Sequence, residues 1–332
     1  MKALVTGGCG FIGSHIVDEL LKNDFEVIVI DNESAICHNQ FYYNSSPKVK
    51  YYKYDISDYD LIKPLFDDVD YVFHLAAEAR IQPSLINPIL TVKTNVLGTA
   101  SILQASKESG VKRVIYSSTS SAYGRKHYQK FEERINGFQA WEPTDLSKYF
   151  DWSGLTEDME DDCLTPYSIA KTSGEKLCRM YTKLFGLETI TLRYFNVYGP
   201  REPTKGQYAP VIGLFLRQHS AGEPLTIVPT GEQRRDFTHI SDVVEANMKC
   251  ISDSLDKECF GEIFNIGTSR NYSIKEIASM ISDKTVFIGE RNGEAKVTLA
   301  NCEKAKKFLN WESSVKVENY IKDELEKRNL NK

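Results

Sequence analysis

Gly7-Gly8-Cys9-Gly10-Phe11-Ile12-Gly13 directly follows the apolar run Ala3-Leu4-Val5 and opens an amphipathic stretch at Ser14. Glycines in that setting demand a strand, a tight turn and a helix in immediate succession, and few folds begin so. The glycines allow the turn, and the helix start presents unpaired amides suited to a pyrophosphate. Short apolar runs then alternate with amphipathic stretches: Val27-Ile28-Val29-Ile30, Tyr71-Val72-Phe73, the stretch 95–108 and Val114-Ile115-Tyr116. Strands separated by helices indicate βαβ units and a parallel sheet covered on both faces. The expected class is α/β, a Rossmann-type doubly wound parallel sheet. A helix from about 166 to 185 and a strand at Thr189-Ile190-Thr191-Leu192-Arg193 extend it. Prolines 203, 210, 224 and 229 loosen the rhythm, which resumes at Asp242 and at Phe264-Asn265-Ile266-Gly267. The pattern predicts a dinucleotide-binding domain of residues 1–196, to which 239–267 return, and a smaller, mostly C-terminal substrate lobe of 197–238 and 268–332.

Asp31 gives the glycine turn its meaning. It ends the second apolar run, with Asn32 beside it, where a carboxylate accepts hydrogen bonds from adenosine ribose hydroxyls. That carboxylate would repel a 2′-phosphate and no arginine lies next to it, so the reading favours NAD over NADP. Gly7, Gly10, Phe11, Ile12 and Gly13 form the turn that would hold the dinucleotide. Asp55 and Ile56 are placed to border the adenine, although an isolated aspartate there also reads as a helix cap. Leu75, Ala76 and Ala77 are small enough for close approach, and His74 before them reads as a structural strand-end histidine satisfied by backbone.

Tyr167 and Lys171 stand four residues apart, on one face of the helix expected there. A nearby ammonium favours the phenolate and so makes tyrosine a base. A free phenol titrates near 10, so ionising it near neutrality asks for roughly 3 units, about 4 kcal/mol, of help from positive charge. Ser117-Ser118-Thr119 ends a predicted strand upstream and supplies hydroxyls for the same site.

The 332-residue chain carries a formal charge of −5, which gives no general pull toward nucleic acid. The N-terminus enters a strand and then glycines, unlike a signal peptide, and no apolar run approaches membrane-spanning length. Seven scattered cysteines without a paired CxxC spacing suit a reducing, cytoplasmic compartment, and no metal site is expected. Residues 125–163 form an unusually long connection with Trp141, Trp152 and the acidic run Glu157-Asp158-Met159-Glu160-Asp161-Asp162. The simplest expectation is a solvated insertion; the alternative is a packed cover or a dimer contact.

Together, Thr6 to Gly13, His74-Leu75-Ala76-Ala77, Asn95, Tyr167-x-x-x-Lys171 and Arg193-Tyr194-Phe195-Asn196-Val197-Tyr198-Gly199-Pro200 resemble the extended short-chain dehydrogenase/reductase family, and within it the UDP-sugar 4-epimerases. The resemblance covers nearly the whole chain. It implies bound NAD, a UDP-sugar substrate, a nucleotide-sugar lobe and a homodimer. It gives Tyr167 the role of general base, Lys171 that of its partner at the nicotinamide ribose, and Thr119 a hydrogen bond to the reacting sugar oxygen. Leu75, Ala76, Asn95 and Ser117 match cofactor contacts. On the substrate side Asn196, Arg235 and Arg291 match diphosphate contacts, which suit bidentate guanidinium groups. Glu294 matches a carboxylate facing the uridine ribose. Thr298 matches a residue on the C2 side of the sugar pocket, where a small side chain admits an N-acetyl group.

The same resemblance marks departures. Nucleotide-sugar dehydratases carry Thr-Asp-Glu where this chain reads Thr119-Ser120-Ser121, and uronate decarboxylases usually have Glu at the place of Ser121. The expected reaction is C4 epimerisation of UDP-GlcNAc/UDP-GalNAc or UDP-Glc/UDP-Gal through a 4-keto intermediate. A UDP-glucuronate 4-epimerase, a 4-keto-reductase or dehydrogenase, and a non-catalytic dinucleotide sensor are the competing expectations. Glu78 and Arg80 would either read the sugar or pair with each other.

Overall fold

The computed structural model describes residues 1–35, 40–127, 154–204, 209–289 and 295–330. Its centre is a sheet of seven strands: β1 (Lys2–Thr6), β2 (Glu26–Ile30), β3 (Val49–Tyr52), β4 (Tyr71–His74), β5 (Arg113–Thr119), β6 (Glu188–Tyr194) and β7 (Glu262–Ile266). The strands run in the order β7-β6-β5-β4-β1-β2-β3, and every neighbouring pair is parallel. The order reverses between β1 and β4, and a crevice opens beyond the strand ends at that switch. β5 is buried at all seven positions, as a strand covered on both faces should be.

Helices α1 (Phe11–Lys22), α4 (Gly98–Glu108), α5 (Pro166–Phe185) and α7 (Ile240–Lys249) cover the sheet, α2 (Ile81–Ile86) and α3 (Pro88–Val92) pack on α5, and α6 (Val211–Ser220) lies between α5 and α7 in sequence. α5 starts sharply because Thr165 and Ser168 form a reciprocal capping box around Pro166, and it ends at Gly186, whose φ is +71°. That start fixes Tyr167 and Lys171 in the first two turns. A single π-helical turn, Lys93–Leu97, joins α3 to α4 and carries Asn95.

A second apolar core gathers Tyr198, Ile212, Phe215, Leu225, Phe237 and residues of α8 (Ile274–Ile281) and α10 (Val317–Leu330). Ala305 and Leu309 of α9 (Glu303–Leu309), with Trp311, instead join the main core beside Ile240 and Val243. The C-terminal segment thus visits both cores, which its sequence pattern did not reveal.

The acidic run corrects one expectation. Asp161 and Glu175 both bind the buried Arg193 guanidinium, at 2.9 and 2.6 Å, and Glu157 accepts the Asn265 amide at 2.7 Å. Asp162 accepts the backbone amides of Arg125 and Lys126 and lies so close to Gly124 that a Cβ there would sit 1.7 Å from its carbonyl oxygen. Residues 154–163 are therefore pinned to the sheet end through Glu157, Asp161 and Asp162, while Asp158 and Glu160 stay exposed. Trp141 and Trp152 lie outside the described residues.

Candidate active site

The crevice at the strand ends holds a cavity of about 510 Å³. Its lining includes Gly7, Gly10, Phe11, Ile12, Gly13, Asp31, Asn32, Ile56, Leu75, Ala76, Ala77 and Ser117 on one side, with Thr119, Tyr167, Lys171, Asn196, Arg235 and Thr298 toward the other. Of the remaining expected residues, Asp55 and Asn95 do not line it, and Arg291 and Glu294 lie outside the described residues.

The glycine turn is as tight as the sequence required. Gly7 has φ +69°, and a Cβ there would meet the Ala76 nitrogen at 2.8 Å; one on Gly13 would meet the Gly7 carbonyl oxygen at 2.1 Å. No side chain caps α1, so its first amides face the cavity. Asp31 accepts the Cys9 amide at 3.0 Å and the Glu33 amide at 2.8 Å, which aims its carboxylate, while burial raises its pKa.

Asn95 acts from behind. Its side chain accepts the Glu78 amide at 2.8 Å and donates to the Glu78 carbonyl at 3.1 Å, holding the loop after β4. Thr99 donates to the Asn95 carbonyl, so it must accept from His74 Nε2, and His74 Nδ1 in turn accepts from Thr6. Thr6 accepts the amides of Leu75 and Ala76, both at 3.1 Å. His74 is structural, as expected, but hydroxyls rather than backbone satisfy it. Its enclosure pushes its pKa down to about 3. Asp55 accepts the Ser57 amide and hydroxyl in a local turn and caps no helix, since the helix that follows, Tyr59–Ile62, has Asp58 at its N-cap.

The Tyr167–Lys171 pair differs from expectation in its wiring. Lys171 donates to the Ser117 carbonyl at 2.8 Å and lies over the Tyr116 ring, and burial lowers its pKa to about 8. Burial raises the Tyr167 phenol; the Thr119 hydroxyl and the charge of Arg80 act against that rise. The charge of Arg80 thus favours the phenolate, and the Lys171 ammonium is hydrogen-bonded to the Ser117 carbonyl near the end of β5. Ser84 accepts the Tyr167 amide at 3.2 Å and fixes the start of α5. Ser117 shares its hydroxyl with Tyr194 at 3.0 Å.

On the far side, Asn196 donates to the Asp236 carbonyl at 2.9 Å and to Thr298 at 3.2 Å, which uses both hydrogens of its amide. The Thr298 hydroxyl also accepts the Asp236 amide, so Asn196 and Thr298 brace one another at the wall. Arg235 donates to the carbonyls of Arg234 and Lys296. Ser120 and the wall of Pro210, Val211, Ile212 and Leu214 were missed by sequence reasoning, because no periodicity distinguishes a cleft-facing side chain from a packed one.

The model of the GDP-mannose 4,6 dehydratase family matches residues 4–324. A UDP-N-acetyl-α-D-glucosaminuronate decarboxylase of Bacillus cytotoxicus is 35% identical over 86% of this chain and 80% of its own length. A UDP-glucose 4-epimerase of Thermotoga maritima, solved with UDP-glucose, is 32% identical with a TM-score of 0.82, covering 100% of both chains. A UDP-glucuronic acid 4-epimerase of Bacillus cereus, solved with UDP-glucuronic acid and NAD, is 30% identical with a TM-score of 0.81 over 100% of both.

Proposed function

Since the chain belongs to the family described by the GDP-mannose 4,6 dehydratase model, within the extended short-chain dehydrogenase/reductases, we propose that it inverts C4 of a UDP-sugar using tightly held NAD. The observation that carries this reading is Tyr167, half-buried and lining one cleft with Thr119 and Lys171 between the glycine turn and the Arg235 wall.

The cleft fits a dinucleotide: the glycine turn has no room for a Cβ, the α1 amides are uncapped, and the Asp31 carboxylate is already aimed. Gly7 to Gly13 would hold the pyrophosphate, Asp31 and Asn32 the adenosine ribose, and Leu75 to Ala77 the face opposite. When bound, NAD supplies a reversible hydride acceptor. Tyr167 removes the C4 hydroxyl proton and later returns one, and Thr119 orients that oxygen. Lys171 anchors the strand end at Ser117 and contributes positive charge below the phenol. Arg235, with Arg291, would keep the UDP clamped while the 4-keto sugar turns and presents its other face. Ser120 and Ser121 stand where dehydratases carry acids, which supports epimerisation over elimination.

Ile86, Ile89 and Ile169 are 76%, 82% and 53% exposed on neighbouring α2, α3 and α5. An apolar face of this kind supports a homodimer. We assign the sheet and its returning strand β7 to the cofactor, and the second core to the nucleotide-sugar, in a cytoplasmic enzyme.

Tyr167→Phe tests the assignment. The variant should bind UDP and retain NAD while its turnover falls about 1,000-fold, within the range for loss of a general base. Unchanged turnover would remove Tyr167 from the chemistry. Proton NMR of the anomeric region, with UDP-GlcNAc, UDP-glucose and UDP-glucuronate in turn, reads the sugar: a C4 epimer marks an epimerase, and a pentose from the uronate marks a decarboxylase.

A further inference from the structure

Arg80 is a cleft cation whose charge acts on the Tyr167 phenol and whose guanidinium has hydrogen-bonding capacity beyond that role. It caps the start of α2, on the loop that Asn95 holds, and lines the cavity with Thr119, Ser120, Ser121 and Tyr167. Its Nε is buried without a hydrogen-bond partner. Among the described residues its guanidinium forms no ion pair. Glu78, the neighbour that could have taken it, is held through its backbone by Asn95 and makes no ion pair with it. Glu202 feels the charge of Arg80, but its carboxylate is packed against Gly213, one oxygen is unpartnered, and no bond joins the two.

A buried guanidinium atom without an acceptor is unfavourable, so the arrangement asks for an anion that arrives with the ligand. Tyr167 fixes where the reacting C4 oxygen would lie, and Arg80 is close enough to act on that phenol. The hexose group that can carry a negative charge near C4 is C6, two bonds away. We infer that Arg80, with the Ser120 and Ser121 hydroxyls, receives a C6 carboxylate, so that the substrate is a UDP-linked uronic acid rather than a neutral hexose. The inference rests on the proposed C4 chemistry at Tyr167.

The donor set suits that group. A guanidinium offers two parallel N–H bonds to a carboxylate, whereas a hydroxymethyl leaves its charge unmatched. Ser121 accepts from Thr119 at 3.2 Å, so its own proton remains available to the ligand. The nucleotide's diphosphate is the other anion in the ligand, and Arg235 lines the cleft for that task.

Arg80→Met and Arg80→Lys in the full, NAD-loaded chain test this. UDP, UDP-glucose and UDP-glucuronate are titrated calorimetrically, and kcat/KM is measured for both sugars. The wild type should bind UDP-glucuronate more tightly than UDP-glucose. In Arg80→Met the ratio of uronate to hexose kcat/KM should fall about 100-fold, the scale for removing one partner of a buried charge pair, with partial recovery in Arg80→Lys. Equal losses on both sugars would make Arg80 a general support of the Tyr167 phenolate and overturn the inference, as would equal weakening of UDP alone. Inversion of UDP-glucose without any of UDP-glucuronate would overturn it and leave the epimerase reading standing. Arg80-dependent binding of UDP-glucuronate with no epimer formed would do the reverse.

Discussion

In the half of the cleft built from β1, β2 and β4, the polar side chains are tied to protein before any ligand arrives. Asn95, Thr99, His74 and Thr6 form one chain of hydrogen bonds that ends on the Leu75 and Ala76 amides, and Asp31 is braced by Cys9 and Glu33. In the half around Tyr167, Arg80 keeps an unpartnered Nε and Ser121 an undirected proton. The first half presents shape and backbone amides, which suit a cofactor that is the same in every turnover. The second presents unfilled hydrogen-bonding capacity, which a substrate must complete and so can be selected by.

The largest break expected is in the rigid half. Gly13→Ala places a Cβ 2.1 Å from the Gly7 carbonyl oxygen. The turn must move, costing about 3 kcal/mol, and the dinucleotide should be lost with it. Thermal unfolding and the absorbance of retained cofactor check both. A variant that keeps its NAD would show the turn to be less constrained than the comparison holds.

A second contrast is in acid. His74 is neutral between two hydroxyls, with its folded pKa about 3 against 6.5 when unfolded. The unfolded chain takes up the proton first, so this stability is complete above 6.5 and is lost as pH falls toward 3. The loss should reach about 2 kcal/mol by pH 5. Denaturant titrations of wild type and His74→Gln across this range should differ in slope; parallel curves would exclude His74 as the acid-sensitive point.

The smallest effect belongs to the adaptable half. Thr119→Val removes a hydroxyl that acts against the burial-driven rise of the Tyr167 phenol. The limb of kcat/KM that requires ionised Tyr167 should move to higher pH, with about a tenfold loss near neutrality. Retained NAD and an unchanged melting temperature would keep the effect on the substrate side.

The two halves were also unequally legible in the sequence. Apolar runs located the strands, and the strand-turn-helix context of Gly7 to Gly13 and the strand-end position of Asp31 located the dinucleotide side, because these signals are local. The wiring was not local. Thr6 and His74 are 68 residues apart, and nothing at either position announces their bond. The i, i+4 spacing correctly put Tyr167 and Lys171 on one face, yet could not show that Ser117 would take the ammonium or that Arg80 would act on the phenol. The acidic run read as solvated because its partners, Arg193 and Asn265, belong to distant strands. Asn196 and Thr298 were read by resemblance as ligand contacts, and the structure engages their polar atoms with each other and with Asp236.

The central claim is that one closed cleft takes hydrogen from C4 and returns it to the same carbon from the other side. A UDP-sugar deuterated at C4, incubated in ordinary water with the purified protein and no added NAD, tests it by NMR. The account predicts that the C4 epimer appears with its deuterium retained. An epimer that has lost the label to solvent, or no epimer from a neutral or an acidic sugar, would contradict it.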